Sequence, residues 1–209
     1  MVRKADDGGV STRILVDGQP VAVPVDLSLT GVLDAVRAHA PGRLVIQAEA
    51  DGVGVPPEHL STPPGNSPYA REFSFRTADP VLLVRDALLQ ASDALRDLAP
   101  RQKAAAEKLQ ASETAAGVAD LSDVLAVWEQ SKQVLQLAQA LGVCDGMSNQ
   151  EDAEALTHLA RSLTEVRRTL QTQDWSALSD TLAYDLPPLS ARWSVIFANL
   201  ASNARPVAA

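Results

Sequence analysis

The periodicity of apolar residues changes once along this chain, and the change falls at Asp79-Pro80. Beyond it, Val81, Val84, Leu88, Ala91, Leu95 and Leu98 step by three and four, as do Leu156, Leu159, Leu163, Val166 and Leu170, so each series lies on one helix face. Before it, apolar residues come in short β-branched runs divided by turn residues, the pattern of strands. Such a division predicts an α+β chain with its two kinds of element segregated, a β-rich domain over 10–77 and a helical domain over 79–205. The boundary is expected near Thr77 to Pro80.

In the first domain, Ile14-Leu15-Val16 and Val21 to Val25 flank Asp17-Gly18, a tight-turn pair, and predict a hairpin with Pro24 at an edge or on an outward-facing position. Ser28 or Thr30 caps a helix with Leu29, Val32, Leu33 and Val36 on one face, which Pro41-Gly42 ends. A strand over 43–50, a turn at Asp51-Gly52 and a short run near Val53 follow. Residues 56–68, with five prolines, predict an irregular surface loop, and Glu72 to Arg76 closes as a strand with Phe73 and Phe75 on one face. This ββαββ order resembles a ubiquitin-like β-grasp domain, a likeness of topology that implies a binding module and no specific activity.

In the second domain Asp79-Pro80 is a helix start, with Pro100 expected to kink or restart the helix, Lys103 to Thr114 helical and Gly117 a stop. A helix from about Leu121 carries Leu125, Trp128, Leu135 and Ala138 and ends at Leu141-Gly142. A third follows Ser148-Asn149, with Glu151-Asp152 in its first turn and Arg167-Arg168 near its end, matching the helix dipole. A fourth carries Trp175, Leu178, Leu182, Leu186, Leu189, Trp193, Ile196 and Leu200, bent at Pro187-Pro188. Together they predict an antiparallel four-helix bundle, with a coiled-coil dimer as the rival if one seam is left uncovered.

No catalytic, cofactor or metal site is expected. His39, His59 and His158 are scattered without ligand spacing, and there is no HExxH, CxxC, phosphate-binding glycine loop or Gly-x-Ser-x-Gly elbow. Cys144 is followed by Asp145, which disfavours a thiolate, and carboxylate pairs such as Asp6-Asp7, Glu151-Asp152 and Asp180 with Asp185 read as solvated surface. Eighteen basic against twenty-six acidic residues give a net charge of −8, of which residues 77–209 contribute eleven basic and seventeen acidic. That field repels phosphate backbones and anionic headgroups, so neither nucleic acid nor membrane is the expected partner. With one cysteine, no long apolar run and no signal-like start, the expected location is the cytoplasm, with frayed ends at residues 1–9 and 205–209.

The least generic segment is 174–189, which concentrates Trp175, Tyr184, three acids and Pro187-Pro188. Both prolines lack an amide donor and crowd the carbonyls four residues back, those of Ala183 and Tyr184. Trp175, Tyr184, Asp185, Pro187 and Pro188 are the candidate partner-binding residues, the alternative being a packing kink with Trp175 and Trp193 as core anchors. Asp174, Trp175, Leu178, Leu182 and Tyr184 to Leu189 resemble a motif of uncharacterised bacterial proteins in which a small β-domain precedes helices. Here the proline is doubled and Ala183 fills a place often acidic. The resemblance implies no activity.

The expected function is therefore a non-enzymatic interaction protein, an adaptor or export-type chaperone that binds a protein partner or itself. The alternatives are an enzyme with a carboxylate site between the domains near Glu58 and His59, and a purely structural homodimer. An exposed apolar groove between helices, or an unpaired edge strand near Val21 to Val25, would favour the first.

Overall fold

A computed structural model describes residues 12–24, 27–143 and 150–205, with the backbone alone at 150 and 152. Asp6-Asp7, Val25, Cys144, Ser148-Asn149 and the last four residues lie outside the described residues. The chain is α+β and divides into two compact units, Met1–Pro80 and Val81–Ala209.

The first unit is a mixed five-stranded sheet with the order β2-β1-β5-β3-β4. Its elements are β1 (Arg13–Val16), β2 (Gln19–Val21), α1 (Leu29–His39), β3 (Leu44–Ala50), β4 (Val53–Gly54), α2 (Pro57–Ser61) and β5 (Glu72–Ala78). The last strand lies at the centre, parallel to β1 and antiparallel to β3. Ile14, Val16, Phe73 and Phe75 then meet Leu29, Val32, Leu33 and Val36 of α1 in one core. Ser28 caps α1, its hydroxyl accepting the Gly31 amide at 3.2 Å.

Both Asp-Gly turns have left-handed backbone, Asp17 and Gly18 at φ 52° and 80°, Asp51 and Gly52 at 50° and 77°. Their carboxylates clamp opposite ends of β5. Asp51 accepts the Arg71 and Glu72 amides at 3.0 and 2.8 Å. Asp17 accepts the Thr77 amide at 2.8 Å and its hydroxyl at 2.6 Å, with Arg43 at 3.6 Å. The Thr77 hydrogen bonds, with Arg43 adding attraction, hold the Asp17 carboxyl below its ordinary pKa.

Two expectations fail here. The second strand ends at Val21, so Pro24 lies beyond it and Pro20 takes the edge position. Residues 57–61 of the proline-rich stretch form a helical turn, because Pro57 at its first position needs no amide partner.

The second unit contains α3 (Pro80–Arg96), α4 (Leu98–Gln110), α5 (Thr114–Ala140), α6 (Gln150–Thr172), α7 (Trp175–Asp180), a π-helical turn (Thr181–Asp185) and α8 (Leu186–Asn203). Among the described residues six α-helical segments thus stand in place of four. The first break comes at Asp97, ahead of Pro100, which sits in the first turn of α4 where its missing amide has no helical partner. Gly117 does not stop a helix. The reversal is at Ala111-Ser112, with Ser112 at φ 63°, and Gly117 lies within α5 against α4. A Cβ at Gly117 would stand 2.8 Å from Leu109. Gly142, at φ 69°, follows the end of α5 as expected.

Candidate functional site

The apolar seam of α6 and its line of burial do not coincide. At about 100° per residue, the seam Leu156-Leu159-Leu163-Val166-Leu170 centres roughly 70° from the buried line through Ala155, Val166 and Thr169. Leu159, Leu163 and Leu170 are only half-buried, and Leu156 is 45% exposed. The seam is turned towards α5, and between the two helices lies an open apolar groove.

Two adjoining hollows of about 630 and 220 Å³ make up this groove. Leu125 and Trp128 face Leu163 to Leu170 at one end and Leu135 faces Leu156 at the other, so the walls run antiparallel. From Leu156 to Leu170 the groove is about 21 Å long at 1.5 Å per residue. Trp193 and Phe197 of α8 form part of the floor, with their rings 6.0 Å apart. The indole N–H groups of Trp128 and Trp193 are buried and make no hydrogen bond among the described residues.

Charge is confined to the rim. Lys132 and Glu129 pair at 2.8 Å on α5, and that hydrogen bond lowers the pKa of Glu129. Arg167 and Gln171 stand on the α6 side. Outside the groove, Arg168 pairs with Glu165 at 2.6 Å, which lowers the carboxyl's pKa and raises the guanidinium's.

The sequence-predicted residues sit elsewhere. Rather than one bent helix, segment 175–203 has a π turn, closed by the Leu186 amide donating to the Thr181 carbonyl five residues back. Pro187 and Pro188 then fall directly after the π turn, in the first turn of α8. Tyr184 is 72% exposed, Asp185 and Pro188 are exposed, and Pro187 is half-buried. Trp175 is half-buried against the cluster that holds Leu178, Leu182 and Leu186, whereas Trp193 is a buried core residue.

Asp185 and Pro188 line a polar hollow of about 590 Å³ with His158, Arg161, Glu165 and Arg192. Neither Trp175, Tyr184 nor Pro187 lines it, so the structure does not gather the five into one site. Arg192 donates to the Glu151 carbonyl. His158, Arg161 and Glu165 project from a flank of α6 other than the one lining the apolar groove.

In the sheet unit, Glu58 is exposed and His59 pairs with the Tyr69 hydroxyl at 2.8 Å. Among the described residues no group of three or more His, Cys, Asp or Glu could hold a metal ion. No described helix is long and apolar enough to cross a membrane.

Both groove walls and the π turn fall within residues 86–196, which match the family model described as Domain of unknown function (DUF8042). The chain belongs to the DUF8042 family. No curated protein and no solved structure matches it. The DUF8042 match starts inside α3 and ends inside α8, so it takes in both groove walls and leaves the sheet unit outside.

Sequence reasoning found the groove's α6 wall as a seam but assigned it to the bundle core. The signal for its exposure was composition. Leu125, Trp128, Leu159 and Leu163 are bulky on both sides, with no glycine to let the helices close.

Proposed function

We propose that this protein is a non-enzymatic interaction protein, adaptor- or chaperone-like, whose DUF8042 domain holds an amphipathic helix in the groove between α5 and α6. The observation that carries the reading is an apolar groove about four turns long, with charge only at its rim. An exposed apolar surface of this extent costs solubility, and covering it on binding supplies the driving force.

Two finer readings of the architecture go with this. The strand order β2-β1-β5-β3-β4, with a parallel central pair and one packed helix, supports a β-grasp-like module for the first unit. The tight reversal between α4 and α5 supports an antiparallel four-rod bundle for the second, counting α3–α4 and α7–α8 each as one interrupted rod. The exposed ring of Tyr184 beside the polar hollow supports a secondary contact there for a partner's polar segment.

The test is calorimetry with a synthetic amphipathic helix of about 16 residues carrying leucines at three-four spacing, added in large excess. Saturable binding is expected for the wild-type chain, with loss in Ala160→Glu, a change at an exposed position in the groove wall. Absence of binding to the wild type, or equal binding to the variant, overturns the reading.

A further inference from the structure

We propose that the helix this groove accepts is α6 of a second copy, running antiparallel, so that the protein is a two-fold dimer; the inference rests on the groove reading above. A two-fold interface must be self-complementary, because each patch meets its own copy. The α6 stripe satisfies this. It is both one wall of the groove and an amphipathic helix of the length and three-four spacing that the groove takes.

Charge along α6 is polarised in the sense that antiparallel pairing needs. Its first turn carries Glu151 and Asp152, and near its other end Arg167 is the basic residue on the groove side, while Arg161 and Arg168 project from other flanks. Antiparallel copies lay each basic end beside an acidic one, whereas parallel copies would align like charges.

The register follows from residue size. Ala160 is the small residue on the groove side of α6, exposed and midway along it. Close helix approach is centred where the side chain is small, as Gly117 shows against α4. A two-fold axis between positions 159 and 160 sets Leu163 opposite the partner's Leu156. It also sets Arg167 opposite the partner's acidic first turn.

The mass in solution, measured by light scattering across a concentration series, is expected to be twice that of one chain at tens of micromolar. Ala160→Glu, at an exposed position, is expected to weaken the dimer by about thirtyfold or more while the thermal transition of the dissociated chain is unchanged. In a Cys144→Ser background, Ala160→Cys is expected to give an interchain disulfide under mild oxidation. Leu170→Cys is not, because the two copies of position 170 lie at opposite ends of the pair.

A single-chain mass at every concentration overturns the dimer, as does a dimer untouched by Ala160→Glu. Equal cross-linking through Leu170→Cys and Ala160→Cys overturns the antiparallel register. Should the chain be monomeric yet bind the synthetic helix, this inference falls and the groove reading stands; failure of both removes both.

Discussion

Helix α5 treats two of its neighbours, α4 and α6, differently. Against α4 it closes until Gly117 stands so near Leu109 that a Cβ would intrude at 2.8 Å, and Ala105, Ala106 and Leu109 are buried. Against α6 it stays apart, leaving Leu156 exposed and Leu159 and Leu163 half-covered. The apolar content of the two flanks is similar, so hydrophobicity alone does not decide closure. Shape does: glycine and alanine give a large side chain somewhere to go, and two bulky walls do not.

The largest effect is expected at the floor of the open flank. Trp193 is buried in the core and lies under the groove, so Trp193→Ala should cost about 3–5 kcal/mol in denaturant unfolding. A much smaller cost would mean that the groove floor is already loose.

Next comes Gly117→Val, expected to destabilise by about 1–3 kcal/mol through overpacking against Leu109. Its counterpart Leu156→Gln, on the open flank, should stay within about 0.5 kcal/mol when measured on the dissociated chain. Equal costs would erase the contrast between the flanks.

Between these two in size is a contrast with the sheet unit, whose turns are clamped by hydrogen bonds. Because the folded pKa of Asp17 is lowered, its contribution is full above the ordinary carboxylate pKa of about 4 and is lost as pH falls from there through the lowered folded value. Asp17→Asn should therefore remove stability at neutral pH and flatten the acid limb of the sheet unit's stability profile, leaving the helical unit's unchanged. An unaltered acid limb would contradict the clamp.

Much of this was legible in the sequence because local rules and tertiary structure agree there. The Asp-Gly turns, the Ser28 cap, the Phe73 and Phe75 face and the end at Gly142 each follow from one or two residues acting locally. What failed was decided between elements. Gly117 reads as a stop in isolation, yet it serves the close approach of α4. The seam of α6 reads as core, yet burial needs a partner of the right shape, which a periodicity does not reveal.

The π turn sits between these cases. Leu178, Leu182 and Leu186 step by four and four, a spacing that an α-helical face also allows, and all three are buried across the widened turn. The five residues 175, 184, 185, 187 and 188 are near one another in sequence. The turn sends them to different surroundings, with Trp175 packed against a core cluster and Tyr184 in solvent.

The most direct measurement of the groove uses its own floor. In a Trp175→Phe variant the remaining tryptophans are Trp128 and Trp193, both lining the hollow between α5 and α6. Titrating the amphipathic helix into the dilute variant should shift their emission saturably, and the same titration of the variant carrying Ala160→Glu should not. Emission that never moves in the first protein, while its fold is intact, would contradict the account.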